Sequence, residues 1–407
     1  MPLRVLFVTT TYPLRPGDAI PAFVADLARS LVAHHGVRIK VIAPHHPEAP
    51  HEETVDGVHI ERFQYTLDPS SQCLAYGNGI PDNVRNFPRA KWQLPGFFAA
   101  MAMAIRRNLD DTDLIHAHWV EPAFIASLVN VLHRKPLVLT VHSLKPKRSR
   151  LHRHTLAVAD RVLFNSAYTM SQAAAMGYAC RGQVIYQGYD DRFGSRPKSG
   201  EARASLRIPA DATVVTAIGR MIEVKGLHVL AEAAEAILAH RPNVHLVFAG
   251  DGPERSRVEA LAKRGAHCNR IHFTGAMGRE QIVQLLADSD LFVNPGVIDR
   301  NGRAEGLGIT TLEAMASGLA VVGSRAGGII ETIQDGVTGR LVPPGDAPAL
   351  AIRVGELLDD PELRSRLGRA GQQAAREHFA WPALAARVMR VYQNLSPLPG
   401  TPGRGLG

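Results

Sequence analysis

The sequence predicts an α/β protein made of two doubly wound, Rossmann-like domains, and three observations predict it. Short β-branched runs alternate with amphipathic stretches through both halves of the chain, the pattern of parallel sheets covered by helices. The 407 residues, 45% hydrophobic and 21% charged, suit two domains with full-sized cores. Between the two alternating blocks lies Tyr189–Ala210, rich in Gly, Pro, Ser and charge, which reads as the boundary.

In the first block Leu3–Val8, Arg38–Ala43, Asp113–His116, Leu137–Val141, Arg161–Phe164 and Gln183–Tyr186 read as strands. Ala22–His34, Phe97–Leu109, Pro122–His133 and Ala167–Met176 read as the helices between them. In the second block the strands are Thr213–Ile218, Val244–Ala249, Arg270–Phe273, Leu291–Asn294, Leu319–Val322 and Gly339–Val342. Helices fill those intervals, Gly226–Ala239 and Arg279–Ala287 among them. The first domain is therefore expected over 1–190 and the second over 191–378. The amphipathic stretch over 379–395 is expected to return to the first domain as a helix, and the Pro/Gly-rich tail 396–407 to be disordered. Two such domains face each other across a cleft, each presenting the carboxyl ends of its strands, where ligands of these sheets bind.

Composition removes several classes of function. Cys73, Cys180 and Cys268 are far apart and lack CxxC or CxH spacing, which argues against a disulfide framework or a zinc site. The opening apolar run, Val5-Leu6-Phe7-Val8, is too short for a signal peptide. The longest apolar stretch, Leu94–Ile105, falls short of the ~20 residues a spanning helix needs. The expectation is a cytoplasmic protein. Formal charge is +8, with no acidic residue between Glu121 and Asp160 and a basic run at Lys145, Lys147, Arg148, Arg150 and Arg153, read as a solvated loop or a surface for anions. No aromatic-basic RNA signature or finger spacing accompanies it, so nucleic acid is not expected as a partner.

The chemistry-bearing motifs each follow a strand of the second block. Gly219-Arg220-Met221-Ile222-Glu223-Val224-Lys225-Gly226 offers two cations, a planar fork and a point charge for phosphate, between glycines that let backbone approach a ligand. Gly250-Asp251-Gly252-Pro253 reads as a helix start, with Pro253 at the first helical position, and Phe273-Thr274-Gly275 as a tight exit. Ala304-Glu305-Gly306-Leu307-Gly308-Ile309-Thr310-Thr311 loosens the backbone before a helix ending at Gly318. Thr310 and Thr311 are expected to cap that helix, its free N–H groups to form an anion site, and Glu313 in its first turn to accept hydrogen bonds from vicinal hydroxyls. Arg325-Ala326-Gly327-Gly328 reads as a further flexible loop with backbone donors. The two D-x-D triplets, Asp111-Thr112-Asp113 and Asp288-Ser289-Asp290, stand just before strands and read as entry turns, so no metal site is assigned.

Taken in order, GR(x4)KG, GDGP, FTG, EGLGITTLEAMASG, AGGIIETI and GVTGRLVPPGD resemble the second domain of retaining GT-B glycosyltransferases of family four, nucleotide-sugar enzymes marked by two glutamates with seven residues between them, the spacing of Glu305 and Glu313. TTTYPLRPGDAIPAFVADLARSL, LIHAHWVEP, VLTVHS, ADRVLFNS and VIYQGYDDRF carry the resemblance through the first domain. It implies a GT-B fold and a retaining, metal-independent transfer of sugar from a UDP- or GDP-sugar to a carbohydrate or lipid-linked hydroxyl. Arg220 and Lys225 would clamp the donor diphosphate, Glu313 hold the ribose, Glu305 contact the transferred sugar, and His118 touch sugar or phosphate. Gly17, Gly219, Gly306, Leu307, Gly308 and Ile309 complete the implied donor-binding set, and no cofactor is implied. Pro16-Gly17-Asp18-Ala19 and Ser143-Leu144-Lys145 depart from the paired glycines and Gly-rich turn of many members, both on the acceptor side.

Asn83–Phe98 interleaves Arg85, Arg89 and Lys91 with Phe87, Trp92, Phe97 and Phe98, a pattern suited either to core packing or to an anionic membrane surface. A nucleotide-sugar epimerase, a phosphorylase and a noncatalytic glycosyltransferase-like partner are the rival readings. No lysine-cofactor signature supports a phosphorylase, and no G-x-G-x-x-G follows the first strand to support a dinucleotide oxidoreductase.

Overall fold

The computed structural model describes residues 2–15, 18, 22–77, 79–144 and 148–395. The chain forms two compact units, one containing 1–165, 169–186 and 381–407, the other 166–168 and 187–380.

The first unit is built on an eight-stranded sheet. Its strands are β1 (Arg4–Val8), β2 (Arg38–Pro44), β3 (Glu52–Val55), β4 (Val58–Phe63), β5 (Leu114–His118), β6 (Leu137–Val141), β7 (Arg161–Phe164) and β8 (Gly182–Val184), in the spatial order β3-β4-β2-β1-β5-β6-β7-β8. All neighbours are parallel except β3 and β4. β5 and β6 are buried throughout because helices cover both faces; β6 reads as a near-continuous apolar run, while β5 carries His116 and His118 inside the buried strand. The β3–β4 hairpin lies outside the expected strands. Asp56 and Gly57, both with positive φ, close it as a two-residue turn at the sheet edge.

Helix Pro88–Asn108 begins nine residues before the expected Phe97 and carries Pro95 inside it. Phe97, Met101 and Ile105 pack into the core on one face of the sheet, together with Leu156 of helix Arg150–Val158. That second helix replaces the C-terminal part of the expected basic loop, because Leu151, Thr155 and Leu156 turn inward while Arg150 and Arg153 stay exposed. Lys145 and Lys147 lie outside the described residues. On the other face, helices Ala22–His35 and Trp381–Leu395 pack together. Trp381, Leu384, Val388 and Tyr392 join Phe7, Leu27 and Leu31 in one cluster. Each such side chain contributes ~1.5–3 kcal/mol on burial, so the last helix is part of this unit's core.

The second unit has a six-stranded, fully parallel sheet: β9 (Thr213–Ile218), β10 (Val244–Ala249), β11 (Ile271–Gly275), β12 (Leu291–Asn294), β13 (Ala320–Ser324) and β14 (Arg340–Val342). Their order, β11-β10-β9-β12-β13-β14, reverses direction between β9 and β12. In the first sheet the same reversal falls between β1 and β5. Such switch points leave a crevice at the carboxyl ends of the strands.

Both D-x-D triplets sit at the opposite, amino ends. Arg4 at the start of β1 bonds Asp113 at 2.6 Å and Asp111 at 2.5 Å. Asp288 accepts backbone N–H bonds from Ser199, Gly200 and Ala202 at 2.8–2.9 Å, and Asp290 holds Arg203, Lys198 and the Val214 N–H. Burial pushes the Asp288 carboxyl up, but those N–H donors outweigh it and hold it below its ordinary value. These carboxylates fasten segment 198–214 to the sheet.

Candidate functional site

At the switch point of the second unit, three loops are locked together through main chain. Gly219, leaving β9, donates its N–H to the Ala249 carbonyl, and Met221 donates to the Asp251 carbonyl at 2.8 Å. A single 3-10 turn, Glu223–Lys225, ends at Gly226, whose φ of +63° starts helix Leu227–Leu238. A Cβ at Gly226 would lie 1.9 Å from the Pro295 carbonyl oxygen, so only glycine lets this turn rest on the exit of β12. The Val297 N–H bonds the Val224 carbonyl at 3.0 Å and fixes the same approach. Lys225 is thereby delivered to the end of β12.

There Lys225 Nζ forms an ion pair with Glu305 Oε1. Asn294, the last residue of β12, donates Nδ2 to Glu305 Oε2 at 3.3 Å and to Thr311 Oγ1 at 2.8 Å. Both carboxylate oxygens of Glu305 are thus held by neighbours on different elements. Sequence reasoning passed over Asn294. Its signal was a polar amide closing an otherwise apolar strand, Leu291-Phe292-Val293, directly before Pro295.

The helix after Glu305 runs Ile309–Ala316 and starts differently from expectation. Gly308, at φ +88°, is its cap, with no side-chain capping bond, and the Thr311 hydroxyl is engaged by Asn294 instead of the helix end. The earlier start places Glu313 in the second turn, not the first, where it is 8% exposed. Leu307 is 2% exposed, so whatever it offers a ligand is main chain. Arg220, next to Gly219, remains exposed. The Arg325–Gly328 loop is not a free set of donors: Gly328 gives its N–H to the Glu305 carbonyl at 2.8 Å and Arg325 gives its own to Val342. Helix Arg255–Ala262 begins two residues after Pro253, which falls in the preceding turn.

The first unit contributes histidines at the carboxyl edge of its sheet. His118 closes β5 and is 1% exposed. Its Nδ1 lies 3.1 Å from His142 Nε2, while its own Nε2 is buried with no partner among the described residues. Burial lowers its pKa to about 3, so the ring is neutral near pH 7. Gly17, also assigned to the donor, lies outside the described residues. No group of three His, Cys, Asp or Glu side chains among the described residues could hold a metal ion.

Residues 198–374 match the family model for glycosyl transferases group 1, and residues 21–193 that for glycosyltransferase family 4. The chain is 34% identical over 239 residues to a GDP-mannose-dependent alpha-(1-6)-phosphatidylinositol monomannoside mannosyltransferase of Mycolicibacterium smegmatis, a match covering 57% of this chain and 62% of that protein. It is 29% identical over 309 residues to a D-inositol 3-phosphate glycosyltransferase of Streptomyces avermitilis, covering 69% of this chain and 65% of the relative. In both cases the match spans less than two thirds of the relative's length. Among solved structures, sucrose-phosphate synthase from Thermosynechococcus elongatus superposes with a TM-score of 0.77 at 23% identity, covering 97% of this chain and 99% of that one. Anabaena HepE in complex with UDP gives 0.72 at 22% identity, covering 97% and 100%. Two family models matched in chain order, on two α/β units with parallel sheets, establish that the chain belongs to the GT-B glycosyltransferases of the family-four type.

Proposed function

We propose that this chain is a retaining glycosyltransferase that moves a sugar from a nucleoside-diphosphate donor to a hydroxyl acceptor without a metal ion. The observation that carries the reading is the meeting of Lys225, Glu305 and Asn294 beside the start of helix Ile309–Ala316, at the switch point of the second sheet. Breaking the anomeric C–O bond puts negative charge on the departing β-phosphate. Arg220, Lys225 and the helix N–H groups supply positive charge for it, with Lys225 shared between the phosphate and Glu305. Four D-x-D carboxylates that elsewhere recruit divalent metals are already bonded within the chain, in support of this division of labour.

Glu305, with both oxygens accepting hydrogen bonds, suits an orienting acceptor for sugar hydroxyls better than a nucleophile. Glu313 takes the ribose hydroxyls. We assign His118 a contact with the transferred sugar: a buried nitrogen such as its Nε2, with no partner among the described residues, costs ~1–3 kcal/mol, which a sugar hydroxyl recovers. Stereochemistry is retained by a front-face course in which the leaving phosphate helps to deprotonate the acceptor.

The relatives named above act on phosphatidylinositol mannoside and on inositol phosphate, which supports a polyol, carbohydrate or lipid-linked acceptor here. Peripheral contact with an anionic membrane is supported by Trp92, 86% exposed, and Phe87, 50% exposed, beside exposed Arg85, Arg89 and Lys91. Among the described residues no helix is long and apolar enough to cross a membrane. A calorimetric screen of UDP-, GDP- and ADP-sugars, followed by hydrolysis assays with the tightest binder, tests the reading. Absence of binding by every nucleoside diphosphate at millimolar concentration refutes it.

A further inference from the structure

The family match gives no role to the first histidine of the His116-Ala117-His118 triplet or to the last helix. Both are committed to one another. His116 is 0% exposed, and Tyr392 of helix Trp381–Leu395 is 0% exposed. The Tyr392 hydroxyl lies 2.5 Å from His116 Nδ1, across 276 residues of sequence, and Thr140 Oγ1 of β6 lies 2.6 Å from His116 Nε2. One imidazole is thus held at both nitrogens by hydroxyls from two different elements.

That ring is the floor of a stack. His116 and His118 alternate on one strand and so share a face of the sheet. Their rings lie 4.5 Å apart at 27°, and the stack continues to His142 at 5.4 Å and 13°. Phe7 of β1 closes the side, 5.0 Å from both His116 and His118. A neutral imidazole has one donor and one acceptor nitrogen. Tyr392 has no other partner for its hydroxyl proton among the described residues, so donation to His116 Nδ1 satisfies it. His116 Nε2–H then donates to Thr140. The opposite tautomer leaves a buried phenolic O–H unsatisfied, which costs ~1–3 kcal/mol. Tautomer and ring plane of His116 are therefore fixed from outside, and His118 rests on the result.

We infer that Tyr392 and Thr140 are positioning residues, which orient His116 as a rigid platform and through it set the plane and the free Nε2 of His118. The inference rests on the proposed contact between His118 and the transferred sugar, and it makes the last helix a working part of that contact.

The test is long-range 1H–15N spectroscopy of histidine-labelled full-length protein, with turnover and nucleotide affinity measured alongside. Tyr392→Phe keeps the ring and its packing, Thr140→Val keeps the shape, and Trp381→Phe trims the same helix away from His116. The expected result is altered nitrogen signals at both His116 and His118 in Tyr392→Phe and Thr140→Val, but not in Trp381→Phe. Turnover falls roughly tenfold in the first two, the scale of one lost hydrogen bond, while nucleotide affinity holds. His118 signals unchanged in both variants, or equally changed by Trp381→Phe, overturn the proposal, as do changed signals with unchanged turnover. Wild-type His118 signals that ignore every nucleotide sugar overturn the sugar contact itself, an outcome separate from the variants' effect on the stack.

Discussion

Lys225 and Glu305, 80 residues apart in sequence, are joined as an ion pair at the ends of β9 and β12, and Asn294 holds the carboxylate's second oxygen. The pair is largely withdrawn from water, with side chains 22% and 9% exposed. A donor diphosphate that engages Lys225 must therefore share it with Glu305, which ties recognition of phosphate to placement of the residue assigned to the sugar.

Lys225→Ala is expected to weaken nucleoside-diphosphate binding roughly 10- to 100-fold, the range for a charge-assisted hydrogen bond of ~1.5–3 kcal/mol. It also leaves the Glu305 carboxylate held only by the Asn294 amide among the described residues, so the thermal midpoint falls too. Adding Glu305→Gln is expected to restore the midpoint without restoring affinity. Calorimetry and thermal unfolding on the two variants read these separately.

Glu313→Ala is expected to abolish discrimination at the ribose. The native protein should bind the ribonucleoside diphosphate about tenfold more tightly than its 2′,3′-dideoxy analogue, as one or two hydroxyl contacts permit. The variant should bind both alike. A discrimination that survives the substitution moves the ribose contact elsewhere.

Chelation is expected to leave turnover unchanged, since fixed cations serve the leaving diphosphate in the proposed course. Asp288→Ala, by contrast, removes the acceptor of three backbone N–H groups. It is expected to lower stability by ~2–4 kcal/mol, read as a drop in urea midpoint. Activity per folded molecule and its indifference to EDTA should persist.

Histidine burial gives the first unit an acid sensitivity. The folded pKa of His118 is about 3, well below the ordinary histidine value, and His116 is displaced in the same direction, both through burial. The unfolded chain binds these protons and the folded one does not. Their contribution is therefore full above about pH 6.5 and declines as the pH falls, for His118 down to about pH 3. For His118 the cost is ~1.4 kcal/mol per pH unit in that window. Urea midpoints measured from pH 7 to 5.5, where most carboxylates stay ionised, should fall steeply, and His118→Asn should flatten the slope.

Co-sedimentation with anionic vesicles at low salt tests the membrane surface. Native protein should pellet, release with added salt, and lose most of its binding in Trp92→Ala combined with Arg89→Gln and Lys91→Gln. Equal pelleting of that variant and the native chain removes these residues from the interface.

Much of this was legible in the sequence where one force dominates. β9, β10 and β12 have the expected ends, because buried parallel strands are largely apolar and stand out against their flanks. The hairpin Glu52–Phe63 escaped because its edge position tolerates charge. Asp56-Gly57 was its real signal. Helix Arg150–Val158 was hidden by its arginines, although its inward face is apolar. At the site, residue types and spacing brought Lys225 and Glu305 to notice. Their ion pair, Asn294 between Glu305 and Thr311, and the start of the helix at Gly308 depend on how loops stack, which no local pattern records.

The first unit is discontinuous: its sheet is complete by residue 186, yet Trp381, Leu384, Val388 and Tyr392 belong to its core. During synthesis the ribosome must therefore deliver the whole second unit, residues 187–380, before the first can close. Until then helix Ala22–His35 and the floor of the histidine stack face solvent with their apolar surface uncovered. Contacts of such long sequence separation form late. The nascent chain is thus expected to hold a folded second unit while the first is still unfinished. Any truncation that removes the last helix would leave it permanently in that condition.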